Sequence, residues 1–211
     1  MEIDDILQTS LSFFKEDELK REIVSKAKIV EVPPGALILD EGSYVKTVPL
    51  LLSGLVKVVR LERGKEILLY YIYPLESCIV SIYSGMNELK SRAKAIAEDH
   101  SKAILIPSSM VGEWQRKYSS FNSFVLNLYQ KRFENILDAF NAMAFQSLDE
   151  RILSHLQAKA QALNSNEIKL THQGLSDELG AARETVSRML KKLETEDKLK
   201  LHRGYIEIIL D

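Results

Sequence analysis

Two arginines, a glutamate and a serine fall within six residues of the stretch RETVSRMLKKLE: Arg183, Glu184, Ser187 and Arg188. Their types suit the reading of base pairs. The planar fork of an arginine matches O6 and N7 of guanine, and a glutamate accepts from N4 of cytosine. A serine hydroxyl can serve a base or a phosphate. At about 100° per residue, these four and Lys191 share an arc of about 140°. Val186, Met189, Leu190 and Leu193 fill the opposite arc, with Ala182 beside them. The spacing predicts a helix over about 182–194 with one core face and one cationic face. The competing reading is a solvated surface helix on which Glu184 and Arg188, four apart, pair with each other.

The elements around this helix favour the base-reading alternative. LTHQGLSDELG precedes it, with Thr171 placed to cap a short helix through Leu179 and Gly180 to supply a left-handed turn. KLKLHRGYIEI follows as a hairpin turning at Arg203–Gly204, which reads as a wing. In helix-turn-helix proteins the side chains near the start of the second helix reach base edges in the major groove. Thr171, His172, Lys191 and Arg203 are the candidate phosphate contacts, which position rather than specify. Residues 147–211 hold 10 Lys plus Arg and 11 Asp plus Glu, so any cationic surface is local to the helix face.

Upstream the periodicity changes. Residues 119–145 predict a long amphipathic helix with a heptad seam of Leu126, Tyr129, Phe133, Ile136, Phe140 and Met143. A second stripe of Phe121, Phe124, Val125, Leu128 and Leu137 points elsewhere. Two stripes require two partner surfaces: the seam is expected to pair with a second copy, the other stripe with the chain's own core. The helix should break near Phe145–Ser147, where SLDE has the form of a capping box. After a helical lead over roughly 3–26, residues 29–107 read as short strands between turns, with a hairpin at LERGKE. The expected fold class is α+β. It comprises an N-terminal double-stranded, jelly-roll-like β-roll (1–118), a dimerisation helix and hinge (119–146), and a C-terminal winged helix-turn-helix (147–211).

Composition narrows the functions. The chain has 211 residues, a net charge of -2, 45% hydrophobic and 27% charged residues, which permits packed domains and argues against disorder. The single cysteine, Cys78, rules out a disulfide within the chain and a four-thiolate zinc or iron–sulfur site within one chain. The four histidines have no metal-ligand spacing, and only His100 lies in the strand region, so no metal site and no cupin-like enzyme is expected. No apolar run approaches the ~18 residues of a membrane span, and MEIDDILQTS lacks the character of a signal peptide. A cytoplasmic protein without a membrane partner is the expectation.

RETVSRMLKKLE with LTHQGLSDELG before it, AMAFQSLDERIL at the end of the long helix, and VPPGALILDEG and LLLSGLVKVVRL in the strand region together resemble the Crp/Fnr family of bacterial transcription regulators over nearly the whole chain. The resemblance implies a cyclic-nucleotide-binding-like roll, a dimerisation helix with a hinge, and a winged helix-turn-helix. It places Arg183, Glu184 and Arg188 at the family's base-reading positions and Ser187 at one that reads or supports reading. Its departures concern the signal. Cyclic-AMP-binding members carry a Gly-Glu pair and then an Arg followed by Ser or Thr. Here Val80–Ser81 stands in place of the pair, Ala93 follows Arg92, and Leu75 replaces a glycine usual a few residues earlier. These changes argue against cyclic AMP and leave the cofactor unknown. Arg92, Cys78 and Ser81 are the effector candidates, with a buried hydrophobe the plainer reading of Cys78 and a surface charge that of Arg92. The expected protein is a homodimeric DNA-binding regulator on an inverted-repeat operator, with RNA polymerase among its candidate partners. A small-molecule-binding module without DNA control is the alternative.

Overall fold

The computed structural model describes residues 11–62 and 64–209, of Lys65 the backbone alone. The chain divides into two compact units, Met1–Arg60 with Leu69–Glu134, and Leu61–Leu68 with Asn135–Asp211.

In the first unit the β-branched and aliphatic runs form two antiparallel sheets. One has the order β1 (Lys28–Val32), β7 (Ser101–Pro107), β3 (Thr47–Ser53); the other β2 (Leu37–Leu39), β6 (Lys94–Ala97), β4 (Val56–Glu62), β5 (Lys65–Ile72). The strand alternation sorts their side chains. Leu51 and Ala103 join Val56, Val58, Ile72, Ala93 and Ala95 in an interior shared by both sheets. Leu50, Ile104 and Ile106 turn the other way, toward three helices: α1 (Asp17–Lys26), α3 (Ser108–Lys117) and α4 (Ser119–Phe145). Trp114, Phe121, Val125 and Leu128 complete that second core.

Two elements differ from the sequence expectation. The lead helix is, within the described residues, a turn followed by α1; residues 3–10 of the expected helix lie outside them. Glu16 breaks the helical path because its carboxylate turns to the start of α4, accepting from the Ser119 hydroxyl at 3.0 Å and the Ser120 N–H at 3.1 Å. These bonds hold its carboxyl at about 2, with the Ser120 hydroxyl the largest influence. The strand region also contains a helix, α2 (Ile79–Met86), whose first turn is capped by Cys78 Sγ accepting from the Ser81 N–H at 3.4 Å. An eight-residue apolar run is too short for its period to separate helix from strand.

α4 carries both stripes, with one substitution. Phe121, Val125 and Leu128 are buried and Phe124 partly so, but Leu137 is 47% exposed and does not continue the stripe. Arg132 takes the next buried place instead. Its guanidinium bonds Glu76 Oε2 at 2.5 Å and lies over the Tyr70 ring at 4.3 Å, while Lys131 bonds the other oxygen of Glu76. A buried arginine persists there because a carboxylate and an aromatic face replace its water. Leu75, beside this pair, has φ 69, so it keeps the left-handed backbone for which a glycine is the usual residue.

In the second unit α5 (Leu148–Leu163) begins at the expected capping box, with Glu150 accepting from the Ser147 N–H at 2.8 Å. It leads through β8 (Glu167–Ile168) to α6 (His172–Leu179), α7 (Arg183–Thr195), β9 (Leu199–His202) and β10 (Tyr205–Ile208), with sheet order β8-β10-β9. One core of Ile152, Leu156, Leu175, Val186, Leu190, Leu193, Leu199 and Ile206 unites these elements. This is a helix-turn-helix with a winged sheet. Among the described residues no helix is long and apolar enough to cross a membrane, and no group of His, Cys, Asp or Glu could hold a metal ion.

Candidate nucleic-acid interface

α7 folds as its residue types dictate. Val186, Leu190 and Leu193 are fully buried and Met189 partly so, each such side chain contributing about 1.5–3 kcal/mol. The turn before it works as the sequence suggests. Thr171 Oγ1 accepts from the Gly174 N–H at 3.0 Å, and Gly180 closes α6 at φ 64, a conformation glycine adopts without a Cβ clash. Ala182, expected beside the apolar arc, is instead the exposed N-cap of α7.

The opposite face is exposed at Arg183, Glu184, Arg188 and Lys191, with Ser187 half-buried between them. Among the described residues none of the four charged side chains forms an ion pair; the Glu184–Arg188 pair that a solvated helix would favour is not made. Lys192, by contrast, is withdrawn from this face. It bonds Asp149 on α5, whose carboxyl it holds well below the usual range, and lies 3.7 Å from Glu196. Of the four cationic side chains on this helix, Arg183, Arg188 and Lys191 therefore stay free of ion pairs and Lys192 does not.

Of the phosphate candidates, Thr171 is exposed but its hydroxyl caps α6. His172 and Ser187 are brought together, Nδ1 to Oγ at 2.9 Å, so a residue assigned to the backbone of a duplex orients one assigned to its bases. Arg203 sits at the exposed tip of the β9–β10 hairpin beside Gly204, whose φ of 96 makes the turn. Behind it His202 stacks on Tyr205 with ring centroids 4.4 Å apart and bonds Glu207 at 2.8 Å.

Sequence reasoning missed the floor under this site. Arg151, His155 and Lys159 recur every four residues on α5, and all three grip the end of α6. Arg151 Nη2 donates to the Leu179 carbonyl at 3.0 Å; His155 Nε2 meets Glu178 at 2.7 Å and Lys159 Nζ donates to it at 3.1 Å. Burial pushes the Glu178 carboxyl up, but the His155 hydrogen bond and the Lys159 charge outweigh it and hold the group at about 2. The i, i+4, i+8 spacing was the available signal.

The three effector candidates do not converge on one site. Cys78 is fully buried, packs in the roll interior and meets the Tyr70 hydroxyl at 3.6 Å. Ser81 lines a small apolar cavity of about 150 Å³ with Val30, Ile38, Pro49 and Ala103. Arg92 is exposed and opens onto a different crevice, with Tyr83 and Tyr129. On α4 the expected seam is solvent-facing in the single chain: Leu126, Phe133, Ile136, Phe140 and Met143 are each more than half exposed, and Tyr129 is 39% exposed.

Residues 150–211 match the family described as the Crp-like helix-turn-helix domain. No curated protein matches the sequence. Among solved structures, a Crp/Fnr-family transcriptional regulator from Eubacterium rectale is similar at 24% identity and a TM-score of 0.81, over 94% of this chain and 95% of that one. The c-di-GMP responsive global regulator CLP from Xanthomonas campestris is similar at 17% identity and 0.74, over 92% and 98%. FixK2 from Bradyrhizobium japonicum is similar at 18% and 0.70, over 87% and 93%. Residues 150–211 are thus a Crp-like helix-turn-helix domain by their match, and the chain as a whole is similar in fold to solved Crp/Fnr transcriptional regulators.

Proposed function

We propose that this protein is a sequence-specific DNA-binding transcription regulator that acts as a homodimer, is controlled by a signal received in its roll, and works in the cytoplasm with RNA polymerase. The observation that carries this reading is the free face of α7, where three cations and one carboxylate stand exposed and unpaired opposite the buried Val186, Leu190 and Leu193. A charged surface that offers no internal partner suits an external one, and its mixture of forks and an acceptor suits base edges. In this reading Arg188, Glu184 and Arg183 read bases. Ser187 holds His172, and His172, Thr171, Lys191 and Arg203 face phosphates. The seam of Leu126, Tyr129, Phe133, Ile136, Phe140 and Met143 pairs two copies and sets two α7 helices about 34 Å apart, one turn of duplex. The roll (1–118), dimerisation helix (119–146) and winged domain (147–211) divide the work into sensing, pairing and reading.

The test is selection of bound duplexes from a random pool, with and without cell extract. Enrichment of an inverted repeat, weakening steeply with salt, supports the reading. Binding of a metabolite with no enriched sequence and no salt dependence would instead favour a small-molecule module without DNA control.

A further inference from the structure

Between α2 and α4 lies a crevice of about 280 Å³, lined by Ile79, Val80, Tyr83, Ser84, Leu89, Lys90, Arg92 and Tyr129. It is separate from the apolar cavity of the roll interior, with which it shares no lining residue. Its walls are hydrocarbon and two phenol rings. Tyr83 stands close enough that, after burial, it is the next influence raising the Tyr129 hydroxyl. Its only formal charges are positive. Lys90 and Arg92 are both exposed, neither makes an ion pair among the described residues, and no carboxylate lines the space. Lys90 Nζ lies 5.6 Å from the Tyr44 ring centroid, a contact that leaves its hydrogen-bond donors available.

We propose that this crevice binds a small organic anion with an apolar or aromatic body and a single carboxylate-like head. The head meets Arg92 and Lys90; the body lies along Leu89, Ile79 and the rings of Tyr83 and Tyr129. Size and chemistry both select this class. The volume suits a molecule somewhat below drug size, and pockets of this kind combine apolar walls with a few polar anchors. An arginine fork beside a lysine is a strong anchor for a carboxylate, since charge-assisted bonds are about twice as strong as neutral ones. A cyclic nucleotide is a poorer occupant, because no carboxylate lines the space to accept from its ribose hydroxyl. A molecule seated here touches α2 and α4 at once, so its binding energy differs between arrangements of those helices, which is the requirement for an effector. That last step rests on the proposed function; the binding claim does not.

The test is a fluorine NMR titration of the full chain with 4-(trifluoromethyl)phenylacetate and, as the neutral control, 4-(trifluoromethyl)benzyl alcohol. The acid is expected to saturate one site per chain at least about tenfold more tightly than the alcohol. The Lys90→Gln/Arg92→Gln variant should weaken the acid by about tenfold and leave the alcohol unchanged, and Tyr83→Ala should weaken both. Both variants alter exposed side chains, and an unchanged thermal midpoint checks that they fold. Equal affinity for acid and alcohol, or full retention by the double-glutamine variant, overturns the proposal. So does uptake of the acid only by a variant that has lost self-association, because the crevice is then a surface that a second copy covers. DNA selection separates the two readings: charge-dependent binding without an enriched sequence sinks the regulator and keeps the crevice, and the reverse result does the opposite.

Discussion

α4 and α7 both present to solvent a face that the single chain does not use, and the two faces are chemical opposites. On α4 it is apolar: Phe133, Ile136, Phe140 and Met143 are 62–71% exposed along one line. On α7 it is charged and unpaired: Arg183, Glu184, Arg188 and Lys191. Hydrocarbon gains by leaving water, so the first face suits a like surface and hence a second copy. Fixed guanidinium and carboxylate groups gain from directional partners, so the second suits a polar, patterned, anionic surface. The back of each helix differs as well. The fully buried side chains of α7 are aliphatic, whereas α4 anchors its buried side partly through the Arg132–Glu76 pair.

The largest expected effect tests the apolar face. Ile136→Glu with Phe140→Glu should convert dimer to monomer and weaken self-association by roughly a thousandfold or more, since central anchors dominate such interfaces. Sedimentation at micromolar concentration reads this directly. A wild type that sediments as a monomer, or a variant that does not shift, would remove the contrast between the two helices.

Next comes the support beneath α7. Glu178→Gln removes the buried carboxylate that meets both His155 and Lys159 and should cost about 2–4 kcal/mol in the unfolding of the winged unit. The same carboxylate predicts a pH dependence. The Glu178 carboxyl sits at about 2 in the folded chain against an ordinary 4.5. Its stabilisation is therefore complete above about pH 4.5 and is lost as the pH falls toward 2. Denaturant melts of wild type and Glu178→Gln should converge over that interval; an offset that does not change with pH would mean that ionisation of Glu178 contributes nothing.

The charged face is tested by two smaller changes that should behave differently. Arg188→Ala is expected to cost about 1–3 kcal/mol on the selected sequence and to relax one base position. Lys191→Ala should weaken all duplexes by a similar modest factor and reduce the salt slope by about one. Competition binding with single-base variants separates the two signatures. If both substitutions act uniformly across sequences, the face holds phosphates only.

How far the sequence could be read follows from the range of the forces involved. α7, its glycine turn, the Thr171 cap, the Ser147 box and the extent of α4 are set by local periodicity and by side chains bonding their own backbone. What lay beyond reach involved distant partners. Nothing near Arg132 in sequence announces Glu76, fifty-six residues away, so Leu137 was the natural candidate for the place that Arg132 takes. Arg92, Cys78 and Ser81 lie close in sequence but do not meet: Cys78 packs in the roll interior, Ser81 on α2 lines the apolar cavity, and Arg92, beyond the end of α2, opens onto the other crevice. Nothing near Lys192 in sequence announces its partner, Asp149, which sits on another helix.

Ser187 carries the finest distinction between reading and holding. Its hydroxyl meets His172 Nδ1 at 2.9 Å, which fixes the ring at the first residue of α6. A hydroxyl engaged in this way has less freedom to read a base, and an imidazole fixed by one nitrogen can present the other to a phosphate. Ser187→Ala should therefore act through His172. Each single substitution, Ser187→Ala or His172→Ala, is expected to cost about 0.5–1 kcal/mol in DNA affinity, the size of one modest hydrogen bond. The double variant should cost little more than either, a coupling visible in a double-mutant cycle. The loss should be the same for every duplex tested. Additive costs, or a change in base preference at one position on Ser187→Ala alone, would return the serine to the set of base readers and make the charged face of α7 one residue wider.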